Sequence, residues 1–444
     1  MPFDKNTLIV SSSIIKIVGV FESTPVKKTI SGFKSIGYVA EELGERAKKF
    51  YKDYWYPEFR DLLFFNEKKT SAQILVKTLN QSITFKKDFD LKNQKDVLID
   101  AEIGSLELIL FPNGLHFFSI ELKPVNQNIQ QIADLIYCAR EFNREVVGDA
   151  SKSWVNWIET NCLNGIQITS NDVNKIVHTD GFSGSKFKLY TLVDFKEDES
   201  LKDTNVRDEL LYDLGCVSAI NTAGGDFSFT PSESYFEELL SDKISVFKNY
   251  TILPLFDTFT VVGYNLLSDD QYGTKRSSWT QTYFRIYLYN LFIKYNLFRY
   301  NMDMESDSVK VRDEFETFLN TYNISHISYN FLPNLIYHGL RKSLQIDNEL
   351  KQFQERINRI SQAIQEEQQK RSNMLLAVVG AMTSISSIEP VFGFMENTRN
   401  SLKWGKFGFY FLVSTLLISL AIPLVAYLFP DKKRKFLNKW KKRK

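Results

Sequence analysis

SNMLLAVVGAMTSISSIEPVFGFM, residues 372–395, is the segment on which the class of this 444-residue chain turns. Its 24 residues include nine Leu, Ile, Val or Phe, but also four Ser, Thr383, Pro390 and Glu389. A carboxylate at a bilayer centre costs roughly 2.5 to 3.5 kcal/mol, so a span this polar is marginal alone and needs partners. Its polar groups are ordered. Asn373, Ala377, Gly380, Ser384 and Ser387 recur at steps of four and three and form one small, polar face. Met374, Val378, Val379, Met382 and Ile385 cover much of the rest. Such a face packs closely on another helix or lines water, and we read it as the pore-lining side of a first transmembrane helix. The alternative is a buried amphipathic helix of a soluble body.

Downstream, residues 407–430 (FGFYFLVSTLLISLAIPLVAYLFP) are 24 consecutive uncharged residues, 14 of them Leu, Ile, Val or Phe. That is enough to cross a hydrocarbon layer of ~30 Å, and it predicts a second transmembrane helix. The loop between them, 396–406, carries Arg399, Lys403 and Lys406, whereas the tail 431–444 carries nine Lys or Arg. The excess of positive charge on the tail puts both termini in the cytoplasm, with only the short loop outside the inner membrane. The tail's cations suit anionic lipid headgroups, at ~1 kcal/mol per charge. At the N-terminus no export signal is read, because Asp4 and Lys5 precede an apolar run broken by Lys16.

Upstream, Ile346, Leu350, Phe353, Ile357, Ile360 and Ile364 follow steps of 4, 3, 4, 3, 4, with charged and amide residues between. This heptad seam predicts one helix over 346–388, and a stalk over 331–371, that wants a partner helix from the body or from identical chains. We expect self-association. The body, residues 1–330, reads as a cytoplasmic α/β or α+β domain. Residues 8–20, 188–195 and 251–264 read as strands, 106–122 as a hairpin turning at Pro112–Gly114, and 128–142, 205–214 and 278–297 as helices.

Outside the tail, residues 1–430 hold 46 basic and 52 acidic groups, so the body has no excess charge with which to grip nucleic acid directly. Cys138, Cys162 and Cys216 are too widely spaced for a disulfide framework or a CxxC site.

A large cytoplasmic domain, a stalk helix entering a first span with a polar face, a short outer loop, a second span and a lysine-rich end together resemble the CorA family of pentameric divalent-cation channels. The resemblance is strongest over 340–444, where the tail KKRKFLNKWKKRK is similar to that family's basic terminus. It implies a homo-oligomer, a pentamer, with a metal-ion pore whose outer mouth carries a Gly-Met-Asn triplet. Here the corresponding residues are Gly393, Met395, Glu396 and Asn397, in order but interrupted. The loop's net positive charge repels Mg²⁺, so housekeeping Mg²⁺ transport fits less well than the CorA-like effectors of type III CRISPR antiviral defence. For that branch the resemblance implies a channel or membrane-disrupting effector gated by a nucleotide second messenger, such as the S-adenosylmethionine–AMP conjugate SAM-AMP. A membrane-anchored ligand-binding protein without a pore is a further alternative.

Catalytic motifs are scarce. His116, His178, His326 and His338 lack metal-ligand spacing. The glycine loops Gly181–Lys186 and Ala223–Asp226 could face a phosphate, but neither matches a phosphate-binding fingerprint. The aromatic run Tyr283–Tyr300 could stack on a base, although helical spacing favours core. Without a nucleophile, base and orienting acid, no enzyme activity is expected.

Overall fold

From Ile14 to Phe21, strand β1 (Val10–Phe21) is buried on both faces and apolar apart from Lys16, as a strand segment covered on both sides must be. In the computed structural model, residues 4–22, 30–35, 49, 52–64, 71–90, 95–148, 153–168, 186–225, 229–268, 274–304, 308–386 and 393 are described. The chain divides into two compact units, Met1–Phe353 and Gln354–Lys444.

In the first unit, β1 lies at the centre of a mixed sheet. The other strands are β2 (Lys34–Ser35), β3 (Gln73–Asp90), β4 (Lys95–Leu110), β5 (His116–Pro124), β6 (Glu145–Val146), β7 (Lys188–Phe195), β8 (Ile244–Phe247), β9 (Tyr250–Pro254) and β10 (Thr258–Tyr264). Their order is β2-β3-β4-β5-β1-β7-β10-β9-β8, with β6 beside β3. The β7/β10 pair is parallel, and the other pairs are antiparallel. The predicted hairpin is β4–β5, closed by Gly114 at φ 84°.

Alternation sorts the side chains. Ile15 and Ile17 of β1, Leu106 and Leu108 of β4 and Phe118 and Ile120 of β5 share one buried core with helices α2 (Ile129–Arg140) and α3 (Thr204–Gly215). The opposite face is covered by helix α5 (Phe284–Asp303). Its Phe284 and Tyr287 rings lie 5.1 and 5.8 Å from Tyr190, Phe292 stacks on Phe111 at 3.8 Å, and Tyr295 meets Phe117 edge-on at 5.7 Å. The aromatic run is therefore core. Helices α1 (Pro57–Leu63), α4 (Glu233–Leu240), α6 (Ser308–Tyr322) and α7 (Phe331–Ser343) complete the unit, with α6 and α7 against α5.

Helix α8 (Ile346–Ser386) follows Gln345, whose φ of 55° breaks the chain from α7. Its seam is buried at Ile346, Leu350, Phe353 and Ile357 and only half-buried at Ile360 and Ile364.

The transmembrane hairpin expected from the sequence is corrected here. Among the described residues no helix is long and apolar enough to cross a membrane. Residues 372–386 are no separate span but the last 15 residues of α8, and they follow Glu366, Glu367, Lys370 and Arg371. The multi-pass inner-membrane placement, the channel and the metal-ion pore that followed from the hairpin are withdrawn with it. The second span 407–430, the loop 396–406 and the tail 431–444 lie outside the described residues.

Gly19 pairs with Phe118 across β1 and β5, and a Cβ there would come within 2.3 Å of the Phe118 ring. That ring is held between Phe21 at 6.5 Å and Phe187 at 5.8 Å. Gly19→Ala should destabilise the first unit by ~1–3 kcal/mol through overpacking. The loss should shrink when Phe118→Leu is added, and additive losses in urea unfolding would contradict the clash.

Candidate anion-binding site

Lys16 has no water to receive its charge, since it is 2% exposed on the α5 side of the central strand. A buried ammonium needs a counter-charge, and Glu107 of β4 supplies it at 2.8 Å. The other Glu107 oxygen accepts from Arg285 Nη2 at 2.8 Å, so one carboxylate ties two strands to the first turn of α5. Burial alone would raise the Glu107 pKa, but Lys16 and Arg285 outweigh it and hold the carboxyl at about 2.

The chain enters α5 through a π-helical segment, Ser278–Tyr283. Two of its carbonyls serve the sheet. Tyr190 donates its hydroxyl to Trp279 O at 2.7 Å, and Lys16 Nζ donates to Thr280 O at 3.1 Å. Lys16 also lies 4.1 Å over the Phe284 ring. Widened turns of this kind recur at functional sites because they aim side chains an α-helix would place elsewhere. Just before it, Arg276 donates Nη1 to Ser12 Oγ at 3.1 Å and Nη2 to Glu121 at 3.3 Å.

Between these groups is a cavity of about 370 Å³, lined by Lys16, Glu107, Glu121, Arg276, Gln281 and Arg285 among others. It has room for ~12 waters at ~30 Å³ each. Three cations face two carboxylates, leaving one formal positive charge. Arg285 is 2% exposed, yet its Nε and Nη1 have no hydrogen-bond partner, and neither has Gln281 Oε1. Leaving such groups unpaired costs ~1–3 kcal/mol each.

These residues were not singled out from the sequence. The signal was present in three charges set inside apolar runs: Lys16 in β1, Glu107 in LELILF and Arg285 among aromatics.

The residues that were singled out lie elsewhere. Asn373, Ala377, Gly380 and Ser384 are on α8, where Asn373 and Gly380 are exposed and Ala377 is half-buried. Gly393 is exposed, and Ser387, Met395, Glu396 and Asn397 lie outside the described residues. In the loop after α3, the Ala223 N–H donates to Asp213 Oδ1 at 2.7 Å and Ala223 O accepts from Lys5 at 2.7 Å. Gly224, at φ 72°, abuts the Glu209 carboxylate, so this turn is acidic and internally bonded rather than open to phosphate. Of the other loop, Lys186 alone is described. His326 and His338 come within 6.1 Å, and both ring nitrogens of buried His116 lack a partner. Among the described residues no His, Cys, Asp or Glu group is placed to hold a metal ion.

Compared with known proteins, the chain matches no protein family, no curated protein and no solved structure.

Glu107→Gln should cost ~3 kcal/mol or more near neutral pH by leaving Lys16 and Arg285 uncompensated. Because the folded pKa is depressed from 4.5 to about 2, the charge's contribution is present above 4.5 and lost as pH falls toward 2. The gap between wild type and variant in urea unfolding should close over that window, and a pH-independent gap would refute the assignment.

Proposed function

We propose that residues 1–353 form a receptor for a small anionic ligand of nucleotide type, and that α8 carries the response to an assembly of identical chains. The observation that carries this reading is a cavity lined by Lys16, Arg276 and Arg285 against Glu107 and Glu121, an excess of one positive charge. Burial strengthens each such interaction, and a cavity of this size lies within the range of small-molecule sites. We propose binding rather than catalysis, because Glu107 is spent in two ion pairs and held far from the pKa of a general base working near neutrality.

Helix α5 supports the link to α8. It carries Arg285 in its first turn and, nine residues on, Lys294, which pairs with Glu349 of α8. Phe353 of α8 packs on Phe315 at 4.5 Å and Tyr300 at 6.2 Å. A ligand that favours one setting of α5 would bias α8 by its difference in affinity for the two settings. Ile360 and Ile364 continue the heptad beyond the buried part of the seam, and Met374, Leu375, Leu376 and Val378 are exposed on α8, a surface that a second copy would cover.

With the full-length chain, AMP and a linear adenine dinucleotide at ~1 mM should raise the melting temperature by a few degrees. Arg285→Lys, which keeps the charge but loses the guanidinium's spare donors, should abolish the shift; no shift in wild type with either nucleotide would defeat the receptor reading. Separately, Ile360→Asp should reduce the sedimentation coefficient of the full-length chain toward that of a monomer. An unchanged value would rule out assembly through this seam.

A further inference from the structure

Arg276 is the cation of the cavity that meets solvent. Its side chain is 41% exposed, against 2% for Lys16 and Arg285, so the cavity opens on the side where Arg276 stands. The strand beneath changes character at the same place. β1 is buried from Ile14 onward but only partly covered at Ser12 and Ser13, whose Oγ and carbonyl accept from Arg276 at 3.1 and 3.5 Å. The backbone of Arg276 is anchored from behind, because its carbonyl accepts from Thr280 Oγ1 at 2.9 Å and the Thr280 carbonyl accepts from Lys16. The guanidinium can therefore change partner while the short helix that carries it, Thr274–Ser277, stays in place.

Glu121 is the partner it would leave. It lies directly across from Lys16 in the β1/β5 register, on the same face of the sheet, but Lys16 gives its ammonium to Glu107. Glu121 accepts from Ser105 on one oxygen, at 3.1 Å, and from Arg276 on the other, at 3.3 Å. The two outer charges cancel, and the excess positive charge belongs to Lys16, Glu107 and Arg285 behind them. An oxyanion drawn to that charge meets an outer guanidinium already held by a carboxylate, and phosphate oxygens suit the same arginine fork. A half-exposed pair is worth little, so the exchange is easy. We propose that Glu121 is an internal competitor for the ligand, holding Arg276 until a nucleotide phosphate takes its place there. Glu121 thereby limits how tightly the site grips phosphate. This rests on the anion-receptor reading above and adds what restrains its affinity.

A double-mutant cycle on the full-length chain, read by calorimetric titration with AMP, separates this from simple repulsion. Glu121→Gln keeps an acceptor for Ser105 and removes the competing charge, so it should tighten AMP by roughly 5-fold, the upper worth of such a pair. Arg276→Gln should weaken AMP. In that background Glu121→Gln should gain nothing, because no guanidinium remains to be released. Thermal unfolding of each variant without nucleotide separates lost binding from lost fold. An equal gain with and without Arg276 would make Glu121 a mere through-space charge and overturn the proposal while leaving the receptor in place, as would an unchanged affinity in Glu121→Gln. If AMP bound neither wild type nor any of the three variants, the receptor reading itself would fall, and the proposal with it.

Discussion

Glu107 is the constraint around which the first unit is arranged. Its two oxygens are claimed from opposite layers, one by Lys16 in the central strand and one by Arg285 at the start of α5. Removing any one of the three leaves a buried charge without its partner, where the penalty exceeds what a surface pair is worth. The triad thus fixes more than its own geometry. It sets the height of α5 above the sheet, because Arg285 must reach β4, and it draws Lys16 to the Thr280 carbonyl that the π-helical segment presents.

The rest of α5 obeys a different rule. Fifteen of its residues, from Phe284 to Tyr300, are buried, and their rings interlock with both the sheet and α6. A helix packed this densely cannot rotate without opening cavities, so any movement that a ligand induces must be a small shift of the whole element or an adjustment in the π-helical turn before it. Along the chain, the first part, residues 276–283, lies beside the cavity, and the second is the densely packed helix from Arg285 onward. Arg276, Thr280 and Gln281 stand on the first part, and Lys294, with its partner Glu349, on the second.

Much of the sheet domain was legible in the amino-acid sequence. The strands at β1, the β4–β5 hairpin and β7, and the helices α2 and α3, follow from alternation, a Pro-Asn-Gly turn and 3.6-residue spacing, all of which are local. What could not be read was the pairing of Lys16 with Glu107 and Arg285, residues 91 and 178 positions apart along the chain from Glu107. Nothing local links them. Each reads alone as an interruption of an apolar run, and only the sheet order β4-β5-β1 with α5 laid across it brings them together. The glycine turn after α3, which matches no phosphate-binding fingerprint, is held by Asp213 and Lys5, a constraint contributed by the N-terminus.

The transmembrane reading failed for a related reason. A polar face at helical spacing is the same pattern whether the helix crosses a bilayer or continues a long stalk. The helix begins at Ile346, where the heptad spacing predicted it, and Lys370 and Arg371 are interior residues of α8. Counted that way, the small residues Ala377 and Gly380 are the continuation of a helix whose earlier turns are fixed to the sheet domain by Arg341 with Asp347 at 2.8 Å and by Phe353 against Phe315. The residues taken as the lining of a pore are exposed or half-buried positions on that one helix, as Ile360 and Ile364 also are.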